Sequence, residues 1–353
     1  MMFRRLMRSH LTVACFAGFA LVAGSCAFGA PSASASGSKL GSSVTLYEAT
    51  GAEPWFNAEI SGFEKKYHVH VNVVDTGSGT LTSRAIDEKA NPEADVLVAL
   101  PPFIEEAAQD GILAPTHFAD EKHASPTTGK GYWYALINNY ENFIYNPTIV
   151  KPAPKTWADL LSGKFRGKIS YSNPTEAGDG FAVLWVLKHE DGVKGAMRYL
   201  KQLGANVAAN PPGTGSQDAL VSKGEVWIAN GDVQMDLSDA HHGDNIKVWF
   251  PKDDKGKAWT FSDPYAAGLV KGAPHAAAGR ALLEYLFSTS AQSKIPSLAY
   301  GLPGRTDIHP KSAVYTEWQH LLKGVDKFSV TWKQVVREQK TLLTDWQKTV
   351  QGA

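Results

Sequence analysis

Three short segments concentrate the residue types that capture a small anion. Thr76-Gly77-Ser78-Gly79-Thr80, Thr175-Glu176-Ala177-Gly178-Asp179-Gly180 and Gly213-Thr214-Gly215-Ser216 each place glycines and hydroxyls at the start of a helical pattern. Backbone N–H groups at a helix start carry partial positive charge and have no partner inside the helix, so such turns suit oxyanions. One turn of this kind is equally well explained as a tight bend whose Ser78 or Thr80 caps the helix. Three of them together imply a cleft for an anion. Glu176 and Asp179 lie in the same turns and Asp232 closely follows a strand-like run, so the ligand is expected to carry positive charge as well. Asp232 and Asp236 have the alternative of capping or salt-bridging.

Other chemistry is poorly supported. Gly77-Ser78-Gly79 and Gly213-Thr214-Gly215 lack the third glycine of a dinucleotide fingerprint, and no Gly-Lys pair is followed by Ser or Thr. No Gly-x-Ser-x-Gly elbow exists. His68 and His70 would share one face of a strand, but without a carboxylate cluster they read as surface or packing residues and no metal site is assigned. His241-His242 read as exposed in a polar turn. Most of the ten tryptophans read as core, with Trp55 and Trp133 the first two to consider for a cation cage.

The segments that must position these turns alternate between strand and helix. Ser43 to Tyr47 reads as a strand, Pro54 to Tyr67 as a helix and His68 to Val74 as a second strand. Leu81 to Lys89 resumes helix, and Asp95 to Leu100 is a buried strand closed by Pro101-Pro102. A second unit starts near residue 141, with Glu141 to Tyr145 and Lys168 to Tyr171 extended, and Phe181 to about His189 helical. Glu225 to Ala229 is a strand, Ala266 to Val270 another, Ala276 to Ser288 a helix, and Thr331 to Val350 a terminal amphipathic helix. This is the rhythm of doubly wound α/β lobes, joined by chain crossings near 140 and 265.

Composition agrees with an exported, soluble, thiol-free protein. The chain has 353 residues, enough for roughly two domains, with 35 basic and 35 acidic side chains. Without a basic excess it is not expected to bind nucleic acid. Arg4, Arg5 and Arg8 precede an apolar run from Leu11 to Gly24, shorter than the ~20 residues of a spanning helix. Ala33-Ser34-Ala35 fits a cleavage site, so residues 1–35 read as a signal peptide and 36–43 as a flexible linker. Val22-Ala23-Gly24-Ser25-Cys26 offers a competing ending with a lipid anchor on Cys26. Both cysteines lie in this leader, and its removal leaves 32 basic against 35 acidic residues.

The mature chain resembles the solute-binding proteins of ATP-driven importers, in the branch with ferric, thiamine, polyamine and phosphonate binders. The marks are Gly77-Ser78-Gly79, Glu88 to Val96, Thr156 to Leu160, Lys164 to Ile169, Ser288 to Gln292 and Pro303 to Asp307. Leu100 to Ile104, Asp179-Gly180 and Ala229 to Met235 are similar to the 2-aminoethylphosphonate-binding branch. Ferric binders of the family typically show two adjacent tyrosines, and none of the twelve here are adjacent.

The resemblance implies a type II periplasmic binding protein: lobe 1 from 44–140 and 265–353, lobe 2 from 141–264. It implies capture of 2-aminoethylphosphonate by hinge closure, delivery to a membrane permease, a periplasmic location, a monomer, no cofactor and no catalysis. Alternatives are another small ligand (a phosphate ester, polyamine, thiamine or ferric iron), a sensor role, or an exported phosphonate hydrolase. A haloacid-dehalogenase type hydrolase would need Asp-x-Asp, and Leu97 stands where the second Asp would be after Asp95. The candidate contact set is Glu48, Ser78, Gly79, Thr80, Pro101, Thr175, Glu176, Gly178, Asp179, Gly180, Thr214, Ser216, Asn230, Asp232 and Tyr265. Glu48, Glu176, Asp179 and Asp232 compete for the amine.

Overall fold

A computed structural model describes residues 40–125 and 129–352. The expected signal peptide, Cys26 and the first half of the linker lie outside the described residues.

The chain first builds one sheet, crosses to a second, and returns. Strands β1 (Ser43–Ala49), β2 (His70–Thr76), β3 (Val96–Ala99), β4 (Leu113–Ala114) and β5 (Tyr134–Asn138) open the first sheet. After a two-residue crossing come β6 (Glu141–Tyr145), β7 (Ile169–Ser170), β8 (Val207–Ala209), β9 (Ile228–Asp232) and β10 (Lys247–Trp249), which form the second in the order β10-β6-β9-β7-β8. The short β11 (Ala258–Thr260) leads back to β12 (Tyr265–Val270) and β13 (Leu302–Pro303). These complete the first sheet as β13-β5-β12-β3-β1-β2, with β4 also on β12. β14 (Val325–Lys327) pairs with β11.

The helices are α1 (Glu53–Tyr67), α2 (Ser78–Asp87), α3 (Phe103–Gln109), α4 (Gly178–Leu203), α5 (Gln217–Lys223), α6 (Val233–His242) and α7 (Ala276–Leu286). Two short turns, α8 (Thr289–Gln292) and α9 (Ile295–Leu298), precede α10 (Ala313–Leu321) and α11 (Trp332–Trp346).

β1 pairs in parallel with β2 and β3, as crossover connections through α1 and α2 require. β3 is central, and its Val96, Leu97, Val98 and Ala99 are fully buried, which explains a run that is apolar on both faces. Helix α1 starts with proline in its first turn and buries Trp55, Phe56, Ile60 and Phe63 on one face.

Several boundaries differ from the sequence reading, in ways that matter for the site. α2 begins at Ser78 rather than Leu81, and α4 at Gly178 rather than Phe181, so the hydroxyl and glycine residues form first helical turns. α4 also continues past His189, through a break at Gly192 (φ 68°, ψ 174°). β9 extends through Asn230, Gly231 and Asp232, which therefore belong to the strand. His68 and His70 do not share a strand face: His68 is the left-handed C-cap of α1 (φ 56°), and His70 pairs with Glu64 at 2.7 Å. His241 and His242 form the last turn of α6 instead of a loop. Trp55 and Trp133 are fully buried, their indole N–H groups donating to the Ala291 carbonyl and to Glu105 at 3.0 and 2.9 Å.

The terminal helix α11 spans elements attached to both sheets. Its Gln339 donates to Glu106 of α3 at 3.0 Å, while Glu338 pairs with Lys188 of α4. Trp346 is fully buried and donates to the Tyr171 hydroxyl, next to β7, at 2.9 Å. Trp346→Ala is expected to lower the unfolding free energy by about 3–5 kcal/mol. Trp346→Phe, which loses mainly the hydrogen bond, should cost only about 1 kcal/mol. Urea unfolding of the two variants checks this; equal losses would show that the bond rather than the packing holds the helix.

Candidate functional site

The three turns meet. The Gly79 N–H donates to the Glu176 carbonyl at 2.7 Å, so the first and second turns touch. A β-carbon on Gly77 would lie 2.6 Å from the Pro212 carbonyl oxygen, and one on Gly79 2.6 Å from that of Thr175. Any side chain at either position would force the backbones apart, so close approach is the reason for glycine there. Gly213 and Gly215 face Thr50, which follows β1. Thr50, Ser78, Gly178, Asp179 and Thr214 help to line a cavity of about 10 Å³ between these segments. That is room for about one water molecule. A ligand of several heavy atoms enters only when the turns separate.

One wall of the cavity attracts anions. Helices α2 and α4 both begin there, at Gly77 and Ala177, and neither has a side-chain cap. Their first-turn N–H groups and positive dipole ends converge on the same small volume. Ser78 is buried and accepts the Leu100 N–H at 3.0 Å, fastening the end of β3 to α2. Thr214, also buried, bonds the Ser172 hydroxyl at 3.1 Å.

Buried acids gather beside the same cavity, with Asp179 on its wall. Asp232 is fully buried at the end of β9; one oxygen caps α6 through the Met235 N–H at 2.7 Å and the other accepts the Tyr265 hydroxyl at 2.8 Å. The capping alternative therefore holds for this residue, which also ties to Tyr265. Asp179, in the first turn of α4, is buried beside it. Desolvation, then the neighbouring Asp232 charge, pushes its carboxyl up to about 7. Glu141 at the start of β6 and Asp263 just before β12 interact with the same two groups, and burial raises both well above the carboxylate range. One oxygen of Glu141 and both of Asp263 have no hydrogen-bond partner among the described residues. No lysine or arginine pairs with any of these four acids there. Behind them Asp218 and Asp236 lie side by side, both raised chiefly by burial, Asp218 further by the charge of Asp239 and Asp236 by that of Asp218. A proton shared between two such carboxyls is what lets both remain in the interior.

The other candidates are placed differently. Tyr265 joins the site, donating to Asp232 and to the Thr50 carbonyl at 3.1 Å. Asn230 is buried and spent on scaffold bonds: it accepts the Ser172 N–H at 2.9 Å and Gln217 Nε2 at 2.6 Å. Gly180 packs against the Ser172 carbonyl. Gly79, Thr80, Thr175 and Glu176 line a separate open groove outside the small cavity, beside Arg84. Glu48 is buried within β1, near Asp75 and Glu53, and Ser216 is exposed at the start of α5. Neither lines the small cavity, and nor does Pro101, one residue beyond the lining Leu100.

The sequence reading missed Thr50, Glu141 and Asp263. The only signal for the two acids was their position at the chain crossings near 140 and 265. Among the described residues, no three His, Cys, Asp or Glu side chains are placed to hold a metal ion. No helix of those residues is long and apolar enough to cross a membrane.

Comparison with known proteins adds three findings. Residues 60–323 match a family described as bacterial extracellular solute-binding protein. The chain is 36% identical over 314 residues to the "Putative 2-aminoethylphosphonate-binding periplasmic protein" of Salmonella typhimurium, covering 88% of this chain and 93% of that one. Among solved structures it resembles the periplasmic binding protein AfuA of Actinobacillus pleuropneumoniae, solved with fructose-6-phosphate. The TM-score is 0.78 at 18% identity, over 88% of this chain and 99% of that one. Iron-bound HitA of Pseudomonas aeruginosa gives a TM-score of 0.70 at 21% identity, over 87% and 99%. These likenesses establish the fold as that of type II periplasmic binding proteins.

The buried acids set an unusual pH dependence. Their folded pKa values lie above their unfolded ones, so the native state binds more protons and folding stability falls as pH rises. The contribution is fully present below the unfolded carboxyl range and lost as pH climbs through the folded values, near 7 for Asp179. Urea midpoints of the protein alone should therefore be higher at about pH 5 than at about pH 8. Asp263→Asn should flatten that slope; a midpoint rising across this window would overturn the assignment.

Proposed function

The chain belongs to the family of bacterial extracellular solute-binding proteins, and on that premise we propose that it captures 2-aminoethylphosphonate for an ATP-driven importer. The observation that supports this reading is the pairing of two converging helix N-termini with a buried acid cluster that has no basic partner among the described residues. A phosphonate matches the first and an ammonium the second. The 36% identical relative bears the corresponding name.

In this reading each sheet is the core of one lobe, and the crossings at 139–140 and 261–264 form the hinge. The phosphonate oxygens accept from first-turn N–H groups of α2 and α4 other than that of Gly79, which Glu176 takes, and from Ser78. The ammonium is held by Asp179 with Asp232 behind it. Tyr265 keeps Asp232 oriented, while Glu141 and Asp263, kept protonated by burial, stand behind without touching the ligand. Contacts such as Gly79 to Glu176, and Gln234 to the Gly51 carbonyl at 2.5 Å, form only when the lobes meet. Ligand that bridges both walls shifts the equilibrium toward that closed form, which a membrane permease then recognises. Inorganic phosphate lacks the cation that offsets the acids and is disfavoured electrostatically. The ionised form of Asp179 is the one an ammonium stabilises, so binding near neutral pH releases a proton.

Isothermal titration tests this with 2-aminoethylphosphonate, ethylphosphonate, phosphate, putrescine, thiamine and ferric citrate. The aminophosphonate should bind one-to-one and tightly, with weak responses from the others. Asp179→Asn should weaken it by roughly 30-fold or more, the loss expected when one partner of a buried charge pair is removed. The same variant should leave ethylphosphonate affinity unchanged or improved. Silence with the aminophosphonate, or equal losses for both phosphonates, would overturn the ligand assignment.

A further inference from the structure

A second cavity lies behind the crossings, with a charge character opposite to that of the acidic cleft wall. Its volume is about 690 Å³, within the range of small-molecule sites. Tyr132, Trp133, Phe328 and Trp332 give it aromatic walls. Lys130, Lys327 and Lys333 also line it, and none of the three takes part in an ion pair among the described residues. The Lys327 ammonium lies 5.9 Å from the ring centre of Tyr140. The one acid on the wall, Glu105, has both oxygens committed, to Gln109 Nε2 at 3.1 Å and to Trp133 Nε1 at 2.9 Å. Aromatic walls with uncompensated ammonium groups at the rim favour a flat apolar body that carries one negative charge.

The position of this cavity connects it to the cleft. Tyr140 and Ser262 belong to its wall and form an isolated bridge to each other where the chain passes between the sheets. Each is the residue immediately before an acid of the cluster, Glu141 and Asp263. The segment 327–333 on the other side leads directly into α11, which grips α3 and α4.

We propose that this cavity is a binding site for an amphipathic organic anion, an aromatic ring bearing a carboxylate or sulfonate, distinct from the cleft. Occupancy holds the Tyr140–Ser262 bridge in one geometry and so changes the affinity of the cleft for its own ligand.

The probe is 8-anilinonaphthalene-1-sulfonate, compared with the uncharged N-phenyl-1-naphthylamine, on the folded mature protein. The sulfonate should give saturable one-to-one fluorescence enhancement and bind more tightly than the uncharged compound. Replacing the lysines together (K130E, K327E, K333E) should weaken the sulfonate by about tenfold or more, with the uncharged compound little affected. Changing them to glutamine should give an intermediate loss. Equal binding of the two probes, or sulfonate binding indifferent to charge reversal, overturns the proposal. A second arm titrates 2-aminoethylphosphonate with and without saturating sulfonate. A several-fold change in its affinity, absent in the glutamate variant, supports coupling; an unchanged affinity overturns the coupling. This arm alone rests on the ligand reading above. If the aminophosphonate produces no heat, that reading fails, while the fluorescence arm still decides the site.

Discussion

Asp232 ties together, through one buried carboxylate, elements attached to each of the two sheets. Its carboxylate caps α6 of the second sheet and accepts the hydroxyl of Tyr265, on β12 of the first. Tyr265 in turn donates to Thr50, at the end of β1. A fully buried carboxylate is tolerable only when its lone pairs are met, and these donors come from segments far apart in the chain. The register of β9, the start of α6 and the return strand are all constrained by satisfying this one group.

Around that node the protein accumulates acids that no basic side chain among the described residues accompanies. Asp179, Glu141 and Asp263 are desolvated together, and two of them keep oxygens without partners. Hydrophobic packing elsewhere offsets this. A single apolar cluster runs from β1 and β3 through α4 to Trp346 of α11, so the unfavourable electrostatics are carried by a continuous core. The helix starts on the facing wall supply positive potential, but from backbone dipoles instead of a mobile cation. Dipoles stay in place when the walls part, whereas a lysine would fold in and fill the acid site. A wall built this way remains receptive to an external positive charge.

The terminal helix matters for the same reason. α11 touches α3 and α4 through separate side chains, so movement of one sheet against the other must be accommodated along this helix and at the crossings. The large rear cavity sits where those two features adjoin, bounded by the crossing bridge and by the segment that enters α11.

The alternation of strands and helices, the crossings near 140 and 265 and the three small-residue turns were all legible in the sequence. Each is a local property: period, glycine placement, or an apolar run bounded by proline. The resemblance motifs pointed to the family for the same reason, since they are contiguous. The starts of α2 and α4 were read three residues late, because Ser, Gly and Asp disfavour helix interiors locally while tertiary contacts hold them in first turns. Which acids face the cleft was not legible. Glu48 and Glu176 look as suitable as Asp179 in one dimension, yet Glu48 is buried within β1 and Glu176 opens to an outer groove. Glu141 and Asp263, 122 positions apart in the chain, share a site only because the two crossings run side by side. Distance and desolvation decide what a carboxylate does, and both are properties of the folded arrangement alone.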